Sequence, residues 1–193
     1  FLKTINYAKV VVLRLFGDKG SWSYGIDKLI KWQELKTNRT LLILSGTEEQ
    51  DLSLNELSSI NLDTSIKITK ILRSGGKENY KRFLYCLKFL VCNKSNIPEK
   101  YTSSVSYSDP YLYDWKKENG INVGIISYKS LFLANEIDLS KELIHQLRSE
   151  GLSPKTVFVS TLKDLDIQQE LINLFKKEDI KLLITTTSFS SSL

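Results

Sequence analysis

The feature that most limits the possible folds is an alternation of apolar runs and amphipathic segments in the second half of the chain. Residues 123–127, 156–159 and 181–185 form short apolar runs, which is the pattern of buried strands. Between them, residues 138–150 and 166–178 repeat apolar side chains at helical spacing. A strand–helix–strand–helix–strand series predicts a parallel sheet covered by helices, because parallel strands need a crossover connection.

The first half of the chain shows a weaker form of the same alternation. Residues 9–16 are rich in valine and predict a strand, and residues 40–44 predict a second one. A helix is predicted between them at 25–36, and two further helices are predicted at 65–73 and 77–92.

Helical spacing also predicts which side chains face the core. In the helix over 77–92, the predicted inner face consists of Tyr80, Phe83, Leu84, Leu87 and Val91. In the helix over 138–150, the predicted inner face consists of Leu139, Leu143, Ile144 and Leu147, so that His145 points to solvent.

These patterns predict an α/β protein with two Rossmann- or flavodoxin-like lobes, each built on a mostly parallel sheet. The first lobe is predicted at 1–97 and the second at 121–193. Between them, residues 98–120 are rich in loop-forming residues and predict a linker. The chain starts at Phe1 without a methionine and stops in a polar run. We therefore expect an internal piece of a longer protein, with an incomplete second lobe.

The net charge of +5 is unevenly distributed. Residues 1–97 hold 16 Lys and Arg against 9 Asp and Glu, a balance of +7, and residues 98–193 hold 11 against 13, a balance of −2. A basic lobe attracts polyanions, or is the ordinary surface of a lysine-rich protein. The lysines are scattered and lack interleaved surface aromatics, so nucleic acid is not a predicted partner.

Several classes of site are excluded by the residues themselves. Cys86 and Cys92 have no partners at metal-ligand spacing, and His145 is the single histidine, so no metal site is predicted within the chain. Glycine-rich nucleotide loops and the nucleophile elbow are absent, and no catalytic residue is predicted. No apolar run reaches the ~18 residues of a membrane span, and cysteine usage favours the reducing cytoplasm.

A candidate binding site lies after the strands of the second lobe. In parallel sheets, ligands bind beyond the carboxyl ends of the strands. Polar and cationic residues follow those ends, and the candidate ligand-binding residues are Tyr128, Lys129, Ser130, Ser160, Lys163 and Thr187. Hydroxyls, ammonium groups and helix N-termini on one rim suit carboxylates or phosphates. The alternative is that these loops only cap the next helix, for which Asp164 and Asp166 are candidates.

Two aromatic residues in the first lobe complete the candidate set. Trp22 and Tyr24 follow the first strand, at the equivalent edge of the first predicted sheet. One interpretation is that they stack on a flat macrocycle, and the other is that they pack within the lobe.

Five stretches of the chain, in order, resemble a known family. They are residues 18–29 (DKGSWSYGIDKL), 72–79 (LRSGGKEN), 123–130 (VGIISYKS), 157–164 (VFVSTLKD) and 183–189 (LITTTSF). They are similar to the head region of the CobN-type large subunit of aerobic cobaltochelatase, a relative of the large subunit of magnesium chelatase. The chain departs from the family pattern at Asp18-Lys19, at Lys129 and at Thr185-Thr186-Thr187.

The resemblance implies part of a large, tetrapyrrole-binding subunit that inserts Co²⁺ into a corrin precursor of cobalamin, a ligase forming nitrogen–metal bonds. It implies two AAA+ partner subunits that hydrolyse ATP with Mg²⁺. It also implies that this head region is itself non-catalytic and carries no cofactor. The alternatives are a magnesium chelatase subunit of chlorophyll biosynthesis acting on a porphyrin, a docking or scaffold module, and a free-standing α/β module that binds a small ligand.

Overall fold

The computed structural model describes residues 2–47, 51–92 and 96–187. The chain divides into two compact units, residues 1–105 and 106–193. The described helices and strands confirm an α/β fold whose sheets are mostly parallel. Within these described ranges, no helix combines the length and the apolar character needed to cross a membrane.

The first unit alternates helices and strands and then continues as a series of helices. In chain order its elements are α1 (Leu2–Ile5), β1 (Val10–Leu15), a 3-10 turn (Lys19–Trp22), α2 (Ser23–Glu34), β2 (Thr40–Ser45), α3 (Leu52–Glu56), α4 (Leu62–Ser74), α5 (Gly76–Val91) and α6 (Glu99–Thr102).

The core of the first unit lies on both faces of a parallel pair of strands. β1 and β2 pair from Val10 with Thr40 to Leu15 with Ser45. Successive residues of a strand point to opposite faces. Leu41 and Ile43 of β2 therefore pack with α2 and α3, and the alternate residues Leu42 and Leu44 pack with α4 and α5. Burial on both faces explains why β2 has a continuous apolar sequence instead of an alternating one.

The junction of α4 and α5 depends on two glycines. Gly75 has φ 61° and ψ −171°, and Gly76 has φ 82°. Residues other than glycine rarely adopt this backbone conformation, so Gly75 allows α4 to end and α5 to begin without an intervening loop. At its other end, α4 begins where the Asn61 side chain accepts a hydrogen bond from the amide of Asp63 at 2.9 Å.

The second unit contains the predicted alternation of strands and helices. In chain order its elements are β3 (Tyr111–Tyr113), β4 (Asn122–Tyr128), α7 (Lys129–Ala134), α8 (Asp138–Ser149), β5 (Ser153–Val159), α9 (Leu165–Lys177) and β6 (Leu182–Thr185). The described strands form a sheet in the order β3-β5-β4-β6, in which β4, β5 and β6 are parallel. β3 pairs antiparallel with β5 at one edge.

The segment predicted as a linker, residues 98–120, carries regular structure in both units. α6 packs against α5 in the first unit, and β3 pairs with β5 in the second. Arg148 of α8 holds the residues after β3 by ion pairs to Asp114 at 2.7 Å and to Glu118 at 2.8 Å. The loop-forming residues of this segment therefore connect short elements that are fixed by contacts distant in sequence.

Two predicted helix faces differ from the structure. In α5, Tyr80, Leu84 and Val91 are exposed, whereas Asn79 and Cys86 are buried. The apolar pattern missed this face because Asn79 has a hydrogen-bond partner at Val105 and Cys86 has one at Tyr101, and local sequence reveals neither. In the first turn of α8, Leu139 is 63% exposed instead of buried. The remainder of the α8 prediction is confirmed, including the exposure of His145.

Candidate functional site

The loops after β4, β5 and β6 lie along one edge of the second sheet. Tyr128 at the end of β4 pairs with Val159 at the end of β5, and Ile126 pairs with Thr185 at the end of β6. Because the three strands are parallel, their carboxyl ends share an edge. The structure therefore brings six of the predicted site residues to this edge, namely Tyr128, Lys129, Ser130, Ser160, Lys163 and Thr187.

Lys129 is held by groups of the protein itself. Its ammonium group donates a hydrogen bond to the main-chain oxygen of Tyr107 at 3.0 Å and lies 3.6 Å from the Asp109 carboxylate. Only 14% of the Lys129 side chain is exposed. Asp109 also accepts a hydrogen bond from the amide of Ser160 at 3.2 Å. The Lys129–Asp109 pair thus joins the loops after β4 and β5, which fixes the spacing of this edge.

The other residues of this edge differ in their exposure. Ser130 and Lys163 are exposed and available to a ligand. Thr187 is buried, and its hydroxyl lies 2.7 Å from that of Thr185. Asp164 accepts hydrogen bonds from the amides at the start of α9, the nearer of them Asp166 at 2.9 Å. Asp164 therefore caps the N-terminus of α9. The Lys163 ammonium group is the exposed cation of the loop between β5 and α9.

Aromatic rings form a wall close to the same edge. Tyr111 of β3 stacks on Phe132 of α7 with ring centroids 4.2 Å apart, and Tyr107 meets Phe132 edge to face at 5.1 Å. Phe132 also packs against Phe158 of β5 at 5.5 Å. These contacts attach β3 and α7 to the central strands and account for the tyrosines of the segment that precedes β4.

Trp22 and Tyr24 belong to the first unit. Trp22 is 37% exposed and its ring covers Gly25, where an added Cβ would lie 2.1 Å from a ring atom. Tyr24 is 71% exposed, and the Lys28 ammonium lies 5.4 Å from its ring centroid. Trp22 therefore packs within its own unit, and Tyr24 presents an accessible aromatic face.

Sequence reasoning missed a cationic cleft in the first unit. Its volume is about 930 Å³. The described residues that line it are Arg14, Gly46, Thr47, Thr69, Lys70, Arg73 and Ser74. Arg14 and Gly46 lie at the carboxyl ends of β1 and β2, and the residues from Thr69 to Ser74 form the last turns of α4. The one feature of the local sequence that could have indicated this cleft is Arg14, a charged residue within an apolar strand.

No metal centre is formed by the parts of the chain that the structure describes. Over residues 2–47, 51–92 and 96–187, no three His, Cys, Asp or Glu side chains cluster as metal ligands. Cys86 is buried in α5, and this burial raises the pKa of its thiol to about 11. The Cys86 thiol also donates a hydrogen bond to the Tyr101 oxygen at 3.4 Å, so it contributes to packing as a neutral thiol.

The sequence of this chain matches a known protein family. Residues 69–193 match the family model described as CobN/Magnesium Chelatase, and this range covers more than half of the chain. The chain belongs to the CobN/magnesium chelatase family. The resemblance found in the sequence is thereby confirmed.

Three individual proteins match almost the whole chain. The aerobic cobaltochelatase subunit CobN of Pseudomonas aeruginosa is 22% identical over 98% of this chain and 16% of its own length. The CobN subunit of a Sinorhizobium species is 24% identical over 98% of this chain and 16% of its own length. An uncharacterized protein of Methanocaldococcus jannaschii is 27% identical over 100% of this chain and 17% of its own. The chain thus spans about one sixth of the length of these relatives.

A solved structure has the same fold. The catalytic subunit of cobaltochelatase from Mycobacterium tuberculosis superposes with a TM-score of 0.71 at 19% sequence identity. The superposition covers 88% of this chain and 14% of that chain.

Proposed function

We propose that this chain is a segment of the large subunit of a cytoplasmic, ATP-dependent cobaltochelatase. In this proposal the complete subunit binds a corrin precursor while Co²⁺ is inserted, and AAA+ partner subunits hydrolyse ATP with Mg²⁺. The segment itself binds the macrocycle at its edge and takes no part in coordinating the metal.

The observation that carries the proposal is the match of 98% of the chain to two aerobic cobaltochelatase subunits. A match of this extent includes both units, so it does not depend on one shared motif. Cobalt is favoured over magnesium because both named relatives are cobaltochelatases.

The chemistry of the second-unit edge supports contact with an acidic macrocycle. Corrin precursors carry carboxylate side chains. Lys163 offers an exposed ammonium group after β5, and Ser130 offers an exposed hydroxyl after β4. The Lys129–Asp109 pair is already satisfied and keeps the two loops in register. A carboxylate placed at this edge would gain a charge-assisted hydrogen bond from Lys163, which is stronger than a neutral one.

A titration of the chain with a metal-free corrin tests this proposal. Tryptophan fluorescence follows binding, and a metal-free porphyrin is titrated in parallel. We expect quenching by the corrin in the range of tens of micromolar or tighter, and weaker quenching by the porphyrin. Absence of quenching by both ligands would contradict substrate contact. A chain that binds AAA+ subunits but neither tetrapyrrole would favour a docking module. Stronger binding of the porphyrin than of the corrin would favour a magnesium chelatase subunit.

Two matched variants test whether the carboxyl edge of the second sheet binds the corrin. Lys163→Gln removes the exposed cation at the carboxyl edge of the second sheet, just before α9. Lys177→Gln makes the same change in charge at the opposite end of α9. We expect Lys163→Gln to weaken corrin binding several-fold, and Lys177→Gln to leave it unchanged. Equal effects of the two variants would show that overall charge, and not this edge, governs binding.

A further inference from the structure

We propose that the cationic cleft of the first unit is a binding site for the carboxylate side chains of the tetrapyrrole. The inference rests on the proposed function, because it names a binding site for the same class of substrate within the first unit. The cleft is lined by Arg14, Lys70 and Arg73, and the described lining residues include no carboxylate. Its volume of about 930 Å³ is within the range of small-molecule sites, roughly 300–1,000 Å³.

The cations of this cleft have no carboxylate partner among the described residues. Over residues 2–47, 51–92 and 96–187, the ion pairs involve other cations and leave out Arg14, Lys70 and Arg73. Like charges repel one another, so gathering three of them on one concave surface has an electrostatic cost. A concave wall also concentrates the positive potential. An anionic ligand in the cleft would remove the repulsion and gain from that potential.

Arg14 is oriented toward this role by its neighbours. One guanidinium nitrogen donates to the main-chain oxygen of Gly46 at 3.3 Å, and the guanidinium carbon lies 5.3 Å from the centroid of the Phe16 ring. These contacts restrict the side chain before a ligand arrives. A guanidinium carries further N–H donors in a planar fork that fits a carboxylate.

The hydroxyl groups of the α4 wall are already used within the helix. Thr69 donates to the oxygen of Ser65 at 2.9 Å, and Ser74 donates to that of Lys70 at 2.8 Å. Recognition in this cleft therefore depends on charge. α4 presents its C-terminal turns here, which lack the free amides that bind phosphate at a helix N-terminus. Arg14 of β1 and Arg73 of α4 can each bind a carboxylate through paired hydrogen bonds.

The apolar surroundings suit an amphiphilic ligand. The Phe16 ring is 70% exposed and lies under the Arg14 guanidinium. An exposed ring beside a cation provides an apolar surface next to a charged one. A tetrapyrrole has the same combination, since its rings are apolar and its peripheral side chains end in carboxylates.

The test compares two forms of one metal-free corrin, with free carboxylates and with the carboxylates converted to amides. The protein used contains all 193 residues. Glu48 and Glu49, which lie outside the described residues, are therefore present, and the binding measurement includes the effect of their charges. Arg14→Gln with Arg73→Gln removes two cations of the cleft. Lys36→Gln with Lys77→Gln removes two exposed cations elsewhere in the same unit. Circular dichroism establishes that both variants fold.

We expect the cleft variant to bind the carboxylate form at least about tenfold more weakly, equivalent to about 1.4 kcal/mol. The surface variant should bind like the parent chain, and the amide form should bind all three proteins equally. Equal binding of the carboxylate form by the parent and the cleft variant would overturn the inference and leave the proposed function intact. A parent chain that binds neither form would instead overturn the proposed function. Displacement of the corrin by inorganic phosphate at matched ionic strength would show a site for anions in general and would overturn its assignment to the tetrapyrrole.

Discussion

The side chain of Asn79 forms a pair of hydrogen bonds with the main chain of Val105. Asn79 Oδ1 accepts from the Val105 amide at 2.8 Å, and Asn79 Nδ2 donates to the Val105 oxygen at 2.9 Å. The same Nδ2 also donates to the oxygen of Gly75 at 2.7 Å. Asn79 is fully buried. One side chain thus joins the first turn of α5 to the last residues of the first unit.

Replacement of Asn79 by alanine should destabilise the first unit by about 2–3 kcal/mol, because it leaves the buried oxygen of Gly75 and the partly buried main-chain groups of Val105 without this partner. The measurement is the free energy of unfolding in urea. Asn38→Ala, at an exposed turn of the same unit, is the control and should change that energy by less than about 0.5 kcal/mol. A similar effect of both substitutions would contradict the role assigned to Asn79.

Gly75→Ala should destabilise the same junction by about 1–3 kcal/mol, because the backbone at φ 61° and ψ −171° is nearly restricted to glycine. Gly151→Ala is the control. Gly151 also has a positive φ, 74°, but an added Cβ there has no atom within 4 Å. We expect Gly151→Ala to cost only the ordinary left-handed penalty of about 1 kcal/mol. The free energy of unfolding in urea measures both effects. If Gly75→Ala lost less stability than Gly151→Ala, the junction of α4 and α5 would not require glycine at this position.

These residues illustrate what the sequence could and could not reveal. The stretch from Leu72 to Asn79 was part of the family resemblance, and α4 and α5 were predicted from helical periodicity. The partner of Asn79, however, lies beyond α6 at Val105, and no local pattern connects the two. The apolar pattern therefore assigned α5 a face that includes Tyr80 and Leu84, which are exposed.

The same limit applies to the two candidate binding edges. The order of strands and helices in the second unit predicted that Lys129 and Lys163 would lie at one edge, since parallel strands end together. It could not predict that Asp109 engages Lys129, because that carboxylate comes from an irregular segment. The cleft of the first unit was missed for the same reason, since Arg14 and Arg73 line one cleft only after α4 has packed against the sheet.

The stability of the second unit should depend on pH through Asp114. Burial alone raises the pKa of Asp114, but the hydrogen bonds from Lys116 and Arg148 outweigh it, and the net effect is a lowered pKa. A lowered pKa in the folded state stabilises the protein above the unfolded value, which is about 4. That stabilisation is lost as the pH falls through the lower, folded pKa. We therefore expect the unfolding free energy to decline as the pH falls from about 5 through the lowered pKa of the folded state.

Asp114→Asn isolates this contribution. Asparagine accepts the left-handed backbone of this position, φ 50°, but does not titrate. The variant should show a smaller decline in unfolding free energy over the same pH range. Asp179→Asn is the control, because Asp179 has the same φ of 50° and its side chain is 74% exposed, against 24% for Asp114. If Asp179→Asn reduced the decline as much as Asp114→Asn, the ion pair with Arg148 would not be its source.

The contact between Trp22 and Gly25 distinguishes packing from ligand stacking at one predicted site residue. Gly25 is the third residue of α2, where alanine would otherwise favour the helix. An alanine Cβ would lie 2.1 Å from the Trp22 ring, so the ring must move. We expect Gly25→Ala to cost about 1–3 kcal/mol as an overpacking substitution.

The decisive measurement is a double-mutant cycle with Trp22→Ala, read by urea unfolding. Without the ring, Gly25→Ala should be neutral or stabilising, so that the two changes couple by 1 kcal/mol or more, in the range of about 0.5–3 kcal/mol found for residues in contact. Additive effects would show that the ring does not rest on Gly25 in solution. Trp22 would then be free to stack on a macrocycle, as the other interpretation of the sequence requires. Strong coupling instead leaves Tyr24, with its exposed ring, as the aromatic side chain of this turn that a ligand can reach.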